Sequence, residues 1–373
     1  MNKSVAIVFL GDYRFDARCV NMLNTLIFKK IRVTIYHAGD KKYKTQMNSS
    51  SLLREVSLSP SKNKFKKYIH WCGLILRELR SQNMPDVILA ADIYSLLPVC
   101  LYFSSNKIIY DSREIYSELS AHYKSPMKKK ILKFVECVCI KRVSVILTTA
   151  KSDERYLKKI YKTSSHIKYK IIYNFPRNVF LNKKSNYLRS HFNISSNKII
   201  LLYQGVLQDG RGILQLFKII KGTKNFVGII IGDGEKKASY KRLVKQYQLN
   251  NQIYFLSKLP YMDLLEITSS ADIGLALIKP ISISYKYALP NKLFEYAISG
   301  IPCLASNLPN MEYYINRFSL GKTASPYNVA EQIRAIDKLA LYNKNLYILN
   351  NVKIKSLSWK AQEELFFQLV SSV

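Results

Sequence analysis

The sequence predicts an α/β protein made of two doubly wound, Rossmann-like domains in series. Short apolar runs alternate with longer amphipathic segments through residues 4–173, the pattern of a parallel sheet wrapped by helices. The alternation restarts near residue 198, after a polar interruption. A chain of 373 residues suits two domains of about 150–200 residues better than one. With 48% hydrophobic residues, both halves can bury a core, and a disordered chain is excluded.

In the first half the expected strands are 4–10, 31–37, 86–91, 107–111, 144–149 and 169–173, and the expected helices 15–29, 62–81, 94–103, 127–142 and 151–161. Pro176 restricts Phe175 and halts regular structure, so a boundary is expected near Tyr173–Arg177, followed by the polar stretch 182–198. The second series of strands is expected at 198–203, 227–231, 252–255, 273–276 and 302–305, with helices between. Trp359, Leu365, Phe366 and Phe367 predict a terminal helix. The expected domains are therefore 1–176, 177–355 and a terminal helix over 356–373.

The longest apolar runs, such as Val87–Ala91, are strand-length and far short of a membrane span. Residues 1–10 run straight into a strand, so no signal peptide is expected. The six cysteines have no zinc-ligand spacing and read as reduced thiols, which fits a cytoplasmic setting.

Charge is the outlier, at +33 overall, with 32 basic and 13 acidic residues in 1–175 alone. Two lysine runs, Lys62/Lys64/Lys66/Lys67 and Lys128/Lys129/Lys130/Lys133, each open an amphipathic helix. Such helices suit an anionic leaflet, at about 1 kcal/mol per nearby basic residue. Core-packed helices with solvated lysines are the plainer reading, and nucleic-acid binding is a third. No nucleic-acid motif accompanies the charge.

In doubly wound sheets ligands lie outside the carboxyl ends of the strands, which directs attention to the loops there. Strand 199–203 leads into Gln204-Gly205-Val206-Leu207-Gln208-Asp209-Gly210-Arg211-Gly212, where glycine admits an anion to the backbone and Arg211 can fork onto phosphate. Strand 227–231 leads into Gly232-Asp233-Gly234-Glu235, a pattern found in turns more often than in sites. The most specific string is Ala288-Leu289-Pro290-Asn291-Lys292-Leu293-Phe294-Glu295-Tyr296, continuing to Gly300-Ile301-Pro302. A helix starts at Pro290 or Asn291 with Lys292 in its first turn, and its N-terminus favours anions. Glu295, one turn on, can accept two hydrogen bonds from a ribose diol.

With these residues in place, 199–306 resembles the donor-binding domain of family 4 glycosyltransferases. It is most similar to bacterial capsule, lipopolysaccharide and O-antigen enzymes with a Pro-Asn-Lys-Phe/Leu-Phe-Glu-Tyr segment. Ala271–Leu275, Ser358-Trp359, Arg14–Arg18 and Tyr110–Glu114 extend the likeness over most of the chain. The resemblance implies a GT-B fold: two Rossmann-like domains facing a central cleft, the terminal helix returning to the first. It implies transfer of a sugar from a UDP- or GDP-sugar to a glycan or lipid-linked acceptor, mostly with retention, without a metal or other cofactor, peripheral on the inner membrane face. By position, Glu295 resembles the ribose-binding glutamate and Arg211 the phosphate-binding basic residue. Asn291, Lys292 and Leu293 would lie by the diphosphate and sugar, Gly205 and Gly232 would admit the phosphates, and Ser257 would edge the base. Arg211 and Lys292 carry the catalytic role. On the acceptor side stand Asp16, Asp92, Arg113 and Glu114. Three departures are visible: Tyr287 where the family commonly has a second glutamate, Val206 where a basic residue often follows the glycine, and Arg113 in place of a histidine. The rival readings are a nucleotide-sugar 2-epimerase, for which the donor loops lack histidine, and a basic nucleic-acid-binding protein.

Overall fold

The computed structural model describes residues 3–39, 50–59, 64–103, 107–119, 125–162, 167–177, 185–341 and 354–373. Lys62, at the head of the first lysine run, lies outside the described residues. The chain divides into two compact units, one of Met1–Asn174 with Gln362–Val373, the other of Phe175–Ala361.

Unit 1 runs β1 (Ser4–Phe9), α1 (Ala17–Phe28), β2 (Arg32–His37), β3 (Leu53–Ser57), α2 (Lys64–Arg80), β4 (Val87–Ala90), α3 (Ile93–Tyr102), β5 (Ile108–Ser112), α4 (Pro126–Ile140), β6 (Val145–Thr148), α5 (Lys151–Tyr161) and β7 (Lys168–Ile171). Its strands form one parallel sheet in the order β3-β2-β1-β4-β5-β6-β7. Alternate residues of the central strands, among them Val8, Ile88, Ala90, Ile108 and Ile146, share one core with Trp71, Ile75 and Leu79 of α2 and Leu96 and Val99 of α3. β4 and β6 are buried at every residue, as strands covered on both faces are. β3, Leu-Arg-Glu-Val-Ser, was not expected. It is a half-buried edge strand whose two charged residues mask its strand character.

Unit 2 runs α6 (Tyr187–Phe192), β8 (Ile199–Gln204), α7 (Ile213–Lys221), β9 (Phe226–Ile231), α8 (Lys237–Gln246), β10 (Ile253–Leu256), α9 (Tyr261–Thr268), β11 (Ile273–Ala276), α10 (Ile283–Lys286), α11 (Asn291–Ile298), β12 (Cys303–Ser306), α12 (Pro309–Phe318), β13 (Gly321–Ala324) and α13 (Val329–Ala340). Its parallel sheet has the order β10-β9-β8-β11-β12-β13, so β8 and β11 flank the point where the strand order reverses. The short edge strand β13 was likewise not expected.

The boundaries differ from the expected ones. Phe175 belongs to unit 2, where its ring meets Phe294 edge-on at 4.8 Å. The chain stays in unit 2 through Ala361: Trp359 is buried, and its backbone N–H donates to the Pro176 carbonyl at 2.8 Å. The terminal helix, α14, therefore covers Lys360–Ser372 rather than starting at 356. Its Gln362 side chain bonds both backbone groups of Tyr173, and Lys3 Nζ donates to the carbonyls of Val370 and Ser371 at 3.0 and 2.8 Å, which fixes α14 in unit 1.

Candidate functional site

The site in unit 2 is organised by α11. Tyr296 Oη donates to the Leu202 carbonyl at 3.0 Å and accepts from Gln204 N–H at 3.3 Å, pinning the helix to the end of β8. Gly274 of β11 makes room for that ring, since a Cβ there would lie 2.2 Å from it. The pin sets Lys292 and Glu295 into the sheet edge beside the switch point, both buried. Such a crevice is where doubly wound sheets hold ligands.

Two glycines shape the backbone there. Gly205, with φ +127°, leaves an opening in which an added Cβ would sit 3.7 Å from Lys292 Cε and Nζ. Gly232, with φ +148°, instead presses on the loop after β8: a Cβ would lie 2.0 Å from the Gly205 carbonyl oxygen. The Gly232 position is thus explained by loop packing.

Glu295 Oε2 accepts from Gln204 Nε2 at 2.5 Å, and Gln204 Oε1 in turn accepts from Thr268 Oγ1 at 2.8 Å. Burial raises the Glu295 carboxyl to about 7, against the pull of that hydrogen bond and of Lys292. Lys292 Nζ lies 3.6 Å above the centre of the Tyr203 ring and has no hydrogen-bond acceptor among the described residues. Burial first, and then the positive charge of Arg211, lower it to about 7, while Glu295 opposes both. The Arg211 guanidinium stacks 4.5 Å from the centre of the Tyr285 ring and its Nε donates to Tyr285 Oη at 2.8 Å. Two cations and a carboxylate thus lie together, and Lys292 has no acceptor among the described residues. A buried ammonium in that state is costly, and an anion beside it relieves the cost.

Of the other donor-side residues, Asn291 is half-buried at the start of α11 and Ser257 is exposed just after β10. The Leu293 side chain is wholly buried in the helix packing, and its N–H bonds the Pro290 carbonyl. Gln204, Thr268, Tyr203 and Tyr285 were not anticipated. The one signal was a glutamine closing an otherwise apolar strand just before glycine.

In unit 1 the predicted residues gather at the carboxyl ends of β1, β4 and β5. Asp16 caps α1, accepting from Cys19 N–H at 2.8 Å, and also accepts from Arg113 Nη1 at 2.8 Å. Arg113 Nε donates to Asp111 at 2.9 Å, and Arg18 forks onto the same fully buried carboxylate. Asp92 caps α3 and accepts from Ser95 N–H at 2.6 Å and Leu10 N–H at 3.1 Å. Burial raises its pKa. Glu114 is half-buried on the loop after β5. The structure thus joins Asp16 to Arg113 directly and Arg113 to Arg18 through Asp111, and gives Asp92 a capping task. Nearby, His37 Nε2 meets Glu55 at 2.9 Å, and Arg14 pairs with Asp12 at 2.7 Å, a cluster hidden from sequence because β3 was. Among the described residues, no three His, Cys, Asp or Glu side chains converge as a metal site.

Residues 186–349 match the family model described as glycosyl transferases group 1. No curated protein matches the sequence. Solved structures match along the whole chain. Alr3699/HepE from Anabaena, solved with UDP and glucose, has a TM-score of 0.78 at 13% identity, with 100% of both chains covered. Sucrose-phosphate synthase from Thermosynechococcus elongatus has a TM-score of 0.78 at 14% identity, again with 100% of both chains covered. WaaG, a glycosyltransferase involved in lipopolysaccharide biosynthesis, has a TM-score of 0.71 at 13% identity, covering 97% of this chain and 99% of its own. Two parallel α/β units over this full length are the GT-B architecture. The chain is a transferase enzyme, and residues 186–349 of its second unit resemble glycosyl transferases group 1.

Proposed function

We propose that the protein moves a sugar from a UDP- or GDP-sugar to a hydroxyl of a glycan or lipid-linked acceptor in bacterial surface polysaccharide synthesis. The transfer proceeds with retention and without a metal. The observation that carries this reading is the trio at the switch point of unit 2: buried Glu295 held by Gln204, buried Lys292 without an acceptor among the described residues, and half-buried Arg211 stacked on Tyr285. The neighbour from Anabaena, solved with UDP and with UDP-glucose, supports a nucleotide sugar as the donor.

Glu295 accepts hydrogen bonds from the ribose hydroxyls. The diphosphate lies along Gly205 with Lys292 and Arg211 beside it, and its charge raises Lys292 toward full protonation. As the bond from the anomeric carbon to the phosphate oxygen breaks, negative charge grows on the leaving diphosphate. The two cations and the α11 N-terminus stabilise it there. The acceptor oxygen bonds the anomeric carbon from the same face, and its proton passes to a leaving phosphate oxygen. No protein nucleophile is needed. The acceptor is held by Asp16, Asp92, Arg113 and Glu114.

The net charge of +33 supports a cytoplasmic enzyme resting peripherally on an anionic leaflet. No described helix is long and apolar enough to cross a membrane.

Calorimetry with UDP and GDP tests the donor site. One of the two binds wild type, and Glu295→Ala loses roughly 1.5–3 kcal/mol of that affinity, as for hydrogen bonds to a charged group. Binding unchanged by Glu295→Ala overturns the assignment. Sugar transfer survives excess chelator, and an absolute requirement for added Mg²⁺ or Mn²⁺ overturns the metal-free mechanism.

A further inference from the structure

We propose that α4 is an anchor that lies in the headgroup region of an anionic bilayer, with Met127, Ile131, Phe134 and Val138 inserted among the acyl chains. The proposal rests on the membrane part of the reading above and goes beyond it. Electrostatic attraction alone needs only the lysines, whereas here a set of side chains leaves water for lipid.

The geometry of α4 carries the inference. Met127, Ile131, Phe134 and Val138 are 73%, 55%, 70% and 47% exposed. At 100° per residue they fall within an arc of about 60°, one unbroken stripe along the helix. Lone exposed apolar residues are ordinary on a protein surface, but an aligned set along one helix marks an interaction site. Exposed Lys128 borders one side of the stripe, and exposed Lys130 and Lys133 border the other. Lys129 turns away to pair with Glu118 at 3.0 Å. An apolar band between rows of ammonium groups matches the layering of an anionic leaflet, with acyl chains below and phosphates beside the helix.

The stripe cannot be hidden by a turn of the helix. The opposite face of α4 packs Leu132, Val135, Cys139 and Ile140 into the core of unit 1. The one acidic residue of the helix, Glu136, is buried there and accepts from Tyr110 Oη at 2.6 Å and Tyr161 Oη at 2.5 Å. Rotation would strand a carboxyl group in the core and break both bonds. A second copy of the chain is a poor occupant, because two-fold pairing of the stripes would bring lysine rows against lysine rows. α2, α3 and α4 lie side by side in that order, and α2 adds exposed Lys66, Lys67 and Ile69. The first turns of α2 and α4 both lie toward the carboxyl ends of the strands, the edge that carries the acceptor-side residues.

The test is flotation of the full chain with vesicles of phosphatidylcholine alone, or with one part in three of phosphatidylglycerol. Wild type binds the anionic vesicles and keeps part of that binding at about 1 M salt, where the Debye length is only about 3 Å. Met127→Ser, Ile131→Ser, Phe134→Ser and Val138→Ser combined lowers partitioning at least about tenfold. It leaves only salt-released binding, with nucleotide affinity unchanged. Phe134→Trp shifts its emission to the blue on anionic vesicles alone, against the buried and constant Trp71 and Trp359. If the serine variant binds as wild type and the tryptophan does not shift, insertion is refuted while the electrostatic membrane reading stands. If wild type binds no vesicle even at low salt, the membrane reading itself fails. If the serine substitutions change the oligomeric state in sedimentation but not vesicle binding, the stripe is a self-interface and the proposal is wrong.

Discussion

Replacing Gln204 by leucine removes the donor that Glu295 relies on while leaving the rest of its surroundings in place. Thr268, the other partner of Gln204, also bonds the Leu264 carbonyl at 2.6 Å, so it is not orphaned. Lys292 keeps its place above Tyr203. A hydrogen bond to a charged group is worth about 1.5–3 kcal/mol, which at 1.36 kcal/mol per unit raises the Glu295 pKa by roughly one to two. Starting from about 7, the carboxyl of the variant then titrates near 8–9. Near pH 7 about half of the wild-type Glu295 is ionised, against a tenth or less in the variant. If ribose hydroxyls bind the carboxylate, nucleoside diphosphate affinity falls roughly five- to fiftyfold near pH 7 and recovers as pH approaches 9. The titratable groups coupled to Glu295 are Lys292, Tyr261 and Tyr296. All are present in both proteins, so the wild-type-to-variant ratio across pH isolates Glu295. Calorimetry at a series of pH values measures it. A ratio that stays near one, or a loss that does not depend on pH, would show that Gln204 does not hold Glu295 ionised.

Lys292 has a folded pKa near 7 against 10.5 unfolded, so between those values the unfolded chain binds the extra proton and stability rises with pH. Denaturant unfolding of wild type should therefore gain on Lys292→Met from pH 7 to 10, and a flat difference would mean that Lys292 is solvated. Asp111→Ala leaves buried Arg18 without its carboxylate and Arg113 with Asp16 alone, and should cost about 3–5 kcal/mol, read as a lower urea midpoint. Under about 1 kcal/mol would refute that network. Gly232→Ala meets both a left-handed φ and a carbonyl 2.0 Å away, so it should destabilise unit 2 by more than about 1 kcal/mol in thermal melts. A neutral result would show that the loop after β8 does not confine Gly232.

The sheet strands with unbroken apolar runs were legible because burial on both faces demands such runs. β3 and β13 were not, because edge strands carry charge and polar residues, as Arg54, Glu55 and Lys322 do. The α11 string was legible because its side chains act from one contiguous stretch. The carboxylate's support was not: Gln204 lies 91 positions from Glu295 and 64 from Thr268, and only the sheet order brings them together. The same holds for Arg18 with Asp111, 93 positions apart. On α4 the sequence displayed lysines and apolar residues, yet both faces of that helix are apolar. Which face turns outward was decided by Glu136 and its two tyrosines.

The return of α14 to unit 1 sets the order in which the protein can be completed. Unit 1 is drawn from two separated stretches of chain, while unit 2 is one continuous stretch between them. A ribosome adding about 5–20 residues per second needs roughly 10–40 s to traverse unit 2. For that interval the seat formed by Lys3, Thr25, Lys29 and Tyr173 stands without the helix it is shaped to receive. The first unit to emerge is therefore the last to close. A chain stopped before Gln362 would present a whole second unit joined to an unfinished first one.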